Sequence, residues 1–244
     1  QAMKITPTIL VTGANGFLGR HVCRIANESG AQVIGTTRST IPSDLSASIQ
    51  WVVADVFESD DWQTHLQNCS AVIHCIGTLE QNPATQTTHE RAILQSAQRV
   101  GQAARNAGVK KFVYISASGA PPGTPKSYLQ SKRRAEEFLA TLGMNLVILR
   151  PSAIYGAERP ESLERKAMME RLRRLPFIGW QMRDNKPLAV QVVAQAAVRA
   201  AIDDSITGLL KVDEIERLGA LGRGVREFSA HWPGRAKIGS AVSA

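Results

Sequence analysis

Six short runs dominated by Val and Ile recur along the first two thirds of the chain: TILVTG, AQVIGTTR, IQWVVADV, SAVIHCIG, KKFVYISAS and MNLVILRPS. Continuous apolar runs of this length describe strands covered on both faces. Between them, notably over residues 18 to 29 and 89 to 107, alanines and long apolar side chains recur at helical spacing. Strands alternating with helices in this way predict an α/β fold, a doubly wound parallel sheet with right-handed crossovers.

The rhythm changes after Pro151. Residues 158 to 186 form a dense, basic, helical segment, DNKPLAVQVVAQAAVRAAID resumes as an extended stretch and a helix ending near Asp203, and GLLKVDEIERLGA reads as a last short strand and helix. The expected organisation is one domain over residues 3–218, counted from Met3, with a small C-terminal lobe made mainly by 157–190 and 205–218. Residues 219–244, rich in Gly, Ala, Ser and Arg without apolar periodicity, read as a loose basic tail.

Composition narrows the classes. A net charge of +8 invites a nucleic-acid partner, but aromatics make up only 5% of the chain and no stacking platform or recognition-helix motif is visible, so none is expected. Three cysteines, Cys23, Cys69 and Cys75, suit neither a disulfide framework nor zinc, and favour a reducing compartment. No metal is expected. No apolar run reaches the roughly 20 residues that cross a bilayer. The expectation is a soluble or peripheral protein, cytoplasmic in a bacterium or on the matrix side of a mitochondrion.

At the first strand-to-helix junction stands VTGANGFLGRH. Gly13 permits a tight turn, Gly16 lets backbone approach a diphosphate, and Gly19 allows the helix to pack closely on the sheet. The helix start supplies free amides and a partial positive charge. In this context the three glycines predict a dinucleotide cradle, with Asn15 as a further contact. The second strand ends Thr37, Arg38, Ser39 with no acid at its tip. A cation there suits a 2′-phosphate, so NADP(H) is preferred over NAD(H), unless Arg38 is simply a solvated loop residue. Arg20 is either a second phosphate ligand or faces water. Asp55, with Val56 beside it, either accepts from an adenine amino group or caps a turn. At the end of the fourth strand Gly77 lets the chain pass close to the adenosine ribose, with Cys75 and Ile76 as further cofactor contacts, and His74 and Cys75 pack in the strand rather than catalyse.

SYLQSK places Tyr128 and Lys132 on one face of a helix. An ammonium beside a phenol lowers its pKa, and such a pair can move a proton to or from a carbonyl while nicotinamide moves hydride. The motifs TGANGFLG, FVYISASGA, YLQSK and RPSAIYG, in this order over about residues 8 to 215, resemble the short-chain dehydrogenase/reductase superfamily in its extended or atypical branch, which carries the Rossmann fold. ISASGA, SYLQSKRRAEEFL, ILRPSAIYG, KPLAVQVVAQAAV and GLLKVDEI are similar to a subgroup containing the nucleotide-binding accessory subunit of respiratory complex I and a fungal accessory protein of coenzyme Q biosynthesis. The resemblance implies that Gly13, Gly16, Phe17, Leu18 and Gly19 line the pyrophosphate. It also implies that Tyr128 and Lys132 flank the nicotinamide ribose and that Pro151 through Ile154 lie beside the nicotinamide.

In active members of that superfamily a hydroxyl residue ends the strand before the tyrosine, and the aligned position here is Ala117. Ser116 and Ser118 flank it, Ser116 as a candidate cofactor contact and Ser118 as the catalytic substitute if the strand has already ended. The basic segment, with Leu163, Met168, Met169, Leu172, Leu175, Phe177, Ile178 and Trp180 interleaved, reads as a lid over the sheet or as a surface for anionic lipid or a protein partner. Three functions suit these motifs: an oxidoreductase for a carbonyl or quinone-type, hydrophobic substrate, possible in ubiquinone metabolism; a nucleotide-binding accessory or sensor protein; and a nucleotide-sugar epimerase or dehydratase, which the compact lobe leaves little chain to serve.

Overall fold

In a strand covered on both faces, successive side chains pass alternately to two cores. The computed structural model, which describes residues 6–45, 47–119, 124–174 and 185–220, shows this at every central strand. The six apolar runs form β1 (Thr8–Thr12), β2 (Gln32–Thr37), β3 (Gln50–Val53), β4 (Ala71–His74), β5 (Lys111–Ile115) and β6 (Asn145–Leu149). Ile9, Val11, Ile73, Val113 and Val147 enter one core, whereas Leu10, Val72, Phe112, Tyr114 and Ile148 enter the other.

The helices complete the two layers. The first core is closed by α1 (Phe17–Glu28), and the second by α2 (Ser96–Asn106) and α3 (Lys126–Ala140). A single wider π-helical turn, Glu90–Gln95, leads into α2. Beyond β6 come the two-residue β7 (Ile154–Tyr155), α4 (Pro160–Arg173), the two-residue β8 (Leu188–Ala189), α5 (Val190–Ile202), β9 (Gly208–Leu210) and α6 (Val212–Ala220). β7 and β8 pair in parallel as a separate ribbon.

The main sheet has seven parallel strands in the order β3-β2-β1-β4-β5-β6-β9. Successive crossovers run outward in one direction from β1 through β3, then in the other from β4 onward. The direction reverses between β1 and β4, and at such a point the loops leaving the carboxyl ends diverge and open a crevice.

Two expectations need correction. Residues 205–218 do not belong to a lobe: β9 extends the main sheet beside β6, and Val212, Ile215 and Leu218 of α6 lie in the first core with α5. The last helix also runs past 218, because Gly219 and Ala220 finish α6, where a Cβ on Gly219 would stand 2.2 Å from the Val192 carbonyl oxygen. Residues 221–244, the rest of the expected tail, lie outside the described residues, as do Met3 and residues 175–184 with Leu175, Phe177, Ile178 and Trp180. No described helix is long and apolar enough to cross a membrane.

Candidate functional site

The chain leaves β1 through Gly13, whose φ of +68° is a left-handed conformation that a side chain resists. A Cβ there would lie 3.0 Å from the Ile76 backbone nitrogen. The turn is tied down by the Ala14 N–H to Thr36 carbonyl (3.1 Å) and the Gly16 N–H to Gly13 carbonyl (2.9 Å). A Cβ on Gly19 would fall 2.1 Å from the Gly13 carbonyl oxygen, so only glycine lets α1 begin this close to the strand end. No side chain caps α1 and no acid lies in its first turn. Its first amides have no partner within the helix and carry partial positive charge. This end, unblocked and free of negative charge, fits a diphosphate.

At the tip of β2, Arg38 and Ser39 are exposed, while Thr37 is buried with its hydroxyl 3.3 Å from the Thr40 carbonyl. Asn15 donates to the same carbonyl at 2.9 Å, pinning the glycine turn to this loop. The Arg20 side chain faces water, 41% exposed, where its guanidinium pairs with Asp44 at 2.5 Å, and Arg24 holds the other carboxylate oxygen at 3.0 Å. Asp55 accepts the Phe57 N–H at 2.9 Å, the turn-capping arrangement. The Val56 side chain is committed to the second core, with Leu10 and Ile34.

From the start of α1 a cavity of about 850 Å³ runs along the carboxyl ends of β4, β5 and β6 to α4. Gly16, Phe17, Leu18 and Gly19 form one end, Cys75, Gly77, Ser116, Tyr128 and Lys132 the middle, and Ser118, Pro151 and Ile154 the wall beyond. Of the remaining candidates, Gly13, Asn15, Thr37, Arg38, Ser39, Asp55, Val56 and Ile76 do not line it; they sit around the ends of β1 to β4. On the α4 side Arg165, Met168, Met169 and Leu172 contribute, so the helix does wall the cavity, although Leu163 and Met168 also remain substantially exposed.

Tyr128 and Lys132 both line the middle, but burial raises the phenol rather than lowering it. Lys132 is almost fully buried, and its Nζ donates to the Ile115 carbonyl at 2.7 Å and lies 5.1 Å above the Tyr114 ring. Burial, opposed by Glu136 and Cys75, lowers its pKa to about 8. Only one of its three N–H bonds is used by that carbonyl. A Cβ on Gly77 would stand 3.3 Å from Nζ, so glycine there leaves the ammonium its room. Burial raises the Tyr128 phenol to about 12, and the cation that opposes the rise is Arg133. The Cys75 thiol is likewise pushed up by burial to about 12.

Beyond Ile115 the backbone goes on pairing with the β6 side, Ser116 N–H to Leu149 carbonyl at 2.7 Å and Ser118 N–H to Pro151 carbonyl at 2.8 Å. The Ser116 hydroxyl is spent on the buried Glu136 carboxylate, which also receives Arg133 at 2.7 Å and Arg150 through Nε at 3.0 Å. The Ala117 side chain brings no polar group to the cavity it lines, and its carbonyl accepts from Arg133 at 2.8 Å. The Ser118 hydroxyl donates to Asn185 Oδ1 at 3.1 Å, which leaves the Asn185 amide nitrogen to serve the cavity that Asn185 also lines.

Three features of this wall escape a reading of the sequence. Asn185 meets Ser118 across 67 residues, the Glu136–Arg150 pair spans two elements, and His89 packs its ring edge against Tyr128. No short motif marks any of them. Among the described residues no group of three or more His, Cys, Asp or Glu is placed to hold a metal ion.

Fold, glycine turn and cavity together define a dinucleotide-binding α/β domain. Residues 13–172, more than half of the chain, match the family model described as NAD(P)H-binding, and the chain belongs to that family. It is 26% identical to a ceramide reductase of Caulobacter vibrioides over 227 residues, which cover 91% of this chain and 69% of that one. It is 28% identical to NADH dehydrogenase [ubiquinone] 1 alpha subcomplex subunit 9, mitochondrial, of Rattus norvegicus over 158 residues, which cover 61% of this chain and 41% of that one. Among solved structures it resembles MoeE5 in complex with UDP-glucose and NAD, with a TM-score of 0.62 at 23% identity, covering 87% of this chain and 81% of that one. At that identity the likeness concerns the fold.

Proposed function

We propose that the protein is an NADP(H)-dependent oxidoreductase that reduces a carbonyl or quinone-type substrate. The observation that carries this reading is the placement of the Tyr128 phenol and the Lys132 ammonium, one helical turn apart on α3, in the cavity that begins at the uncapped end of α1. A bound nicotinamide coenzyme supplies hydride. The amides of the Gly13–Gly19 turn hold the diphosphate, and Lys132 turns its remaining N–H bonds to the adjoining ribose, with Pro151 and Ile154 flanking the ring. Tyr128 gives its proton to the oxygen on which charge develops. Burial that keeps the phenol protonated to about pH 12 suits the reductive direction, in which it serves as an acid. Asn185, held through its oxygen by Ser118, donates to the substrate carbonyl where Ala117 offers nothing.

Arg38, with Ser39 and Thr37 beside it, takes the 2′-phosphate; no acid occurs from Gly35 to Thr40 to favour a free hydroxyl. Phe17, Met168, Met169 and Leu172 supply apolar wall for a hydrophobic substrate, a reading supported by the ceramide reductase relative. The exposed Leu163 and Met168, on α4 with Arg165 and Lys166, support a reading of this helix as part of a surface for an anionic membrane or a protein partner. A role in ubiquinone metabolism, on the matrix side in a eukaryote or in a bacterial cytoplasm, belongs to the same reading. The test is NADPH oxidation followed by absorbance over a panel of carbonyl and quinone substrates. Tyr128→Phe is expected to lower turnover about 100-fold or more while NADPH still binds; a Tyr128→Phe protein as active as wild type overturns the assignment.

One observation favours a second reading. Ala117 leaves the usual hydroxyl position empty, and the Ser116 hydroxyl is consumed by Glu136, as befits a nucleotide-binding accessory protein of a respiratory complex. That reading predicts one bound NADP(H) per chain, a raised Tm and no turnover on any member of the panel.

A further inference from the structure

We infer that His89 is a positioning residue that fixes the ring of Tyr128, an inference that rests on the acid role given to Tyr128 above. The His89 side chain is completely buried, just ahead of the π-helical turn Glu90–Gln95. Its Nε2 lies 3.0 Å from the Leu79 carbonyl oxygen. A carbonyl only accepts, so Nε2 carries the hydrogen. The Ser127 hydroxyl, which can donate or accept, stands 2.9 Å from Nδ1. The His89 N–H donates to Gln81 Oε1 at 3.1 Å. The imidazole therefore ties the Leu79 carbonyl to the first turn of α3, and the His89 backbone N–H adds the Gln81 side chain.

That tie acts where the acid is placed. Ser127 precedes Tyr128, and the first turn of α3 has no side-chain cap of its own, because Pro125 occupies the capping position. The His89 and Tyr128 rings meet edge to face, with centroids 5.6 Å apart and planes at 73°. This geometry is favourable beyond simple burial and restricts the phenol to a narrow range of ring orientations. Leu79 and Tyr128 both line the cavity, so the imidazole stands behind two of its walls at once. A π-helical turn is a costly device that recurs beside functional sites, and here it begins at the residue following His89.

The test uses the whole chain and needs no substrate. Tyrosinate absorbance is followed from about pH 8 to about pH 11, with Tyr128→Phe identifying the signal of Tyr128 among the three tyrosines. In wild type the Tyr128 phenol stays silent over this range. In His89→Gln, which keeps a donor toward the Leu79 carbonyl but removes the ring, water reaches the phenol and it ionises at distinctly lower pH, near the ordinary tyrosine range. With a substrate in hand, kcat falls about 10-fold or more while the KM for NADPH stays within about 2-fold. His89→Phe, which restores an edge against Tyr128, recovers part of the silence. A His89→Gln protein with wild-type NADPH affinity, an unchanged tyrosinate titration and an unchanged kcat overturns the inference. A shifted titration in a protein whose Tyr128→Phe variant is fully active upholds the packing role and removes the acid assignment instead.

Discussion

Lys132 is a cation held almost out of water with one carbonyl for company, and its lowered pKa of about 8 makes the stability of the fold depend on pH. Between that value and the ordinary lysine value near 10.5, the unfolded chain binds more protons than the folded one, so stability attributable to this group rises with pH across that window and is lowest below it. Lys132→Met is therefore expected to make the coenzyme-free protein more stable at pH 7, by roughly 1 to 3 kcal/mol in a denaturant melt, while weakening NADPH binding. A destabilised variant would show that the ammonium contributes to the fold rather than burdening it. At the opposite end of the site, Arg38→Ala should weaken NADPH binding about 10-fold or more and leave NADH unchanged, measured by calorimetry. Equal losses for both would remove Arg38 from coenzyme selection. Tyr128 and Lys132 were legible because one helical turn of spacing fixes their common face. The rise in the phenol's pKa was not, because it depends on burial, which spacing does not disclose.

The first crossover, β1 to α1, is the element to which the proposed function assigns the coenzyme, and its tolerance is measured in tenths of an ångström. Gly19→Ala would set a methyl group 2.1 Å from the Gly13 carbonyl oxygen. The helix start must then move away from the strand end, at a cost of roughly 1 to 3 kcal/mol or more. The expected result is a lower Tm and loss of measurable NADPH binding; Gly16→Ala, whose Cβ would press at 3.1 Å on one carbonyl oxygen only, should fold normally and bind less tightly. A Gly19→Ala protein that binds NADPH like wild type would contradict this account of the turn. The six long strands and α1 announce themselves through period and composition, and so does the helix α5 after its short extended lead. The β7–β8 ribbon does not: each strand is two residues long, and the partners, Ile154 with Leu188 and Tyr155 with Ala189, are separated by α4 and more chain besides. β9 was legible as a strand but misassigned to a lobe, since three apolar residues do not disclose which edge they join.

At the scale of the molecule, the reversal of strand order between β1 and β4 opens the crevice, and every proposed role depends on a coenzyme lying across it from the β2 tip to α4. The alternation of strands and helices made that topology readable. The walls of the cavity were less so, because Asn185, His89 and Glu136 reach it from distant parts of the chain. Because the folded state alone offers this crevice, NADPH at 100 times its Kd should stabilise the protein by about 2.7 kcal/mol, visible as a raised Tm. The most direct measurement is calorimetric titration of the folded chain with NADPH and, separately, NADH. The account predicts saturable binding of one NADPH per chain, tighter than NADH. No heat with either coenzyme, from protein shown to be folded, would contradict it.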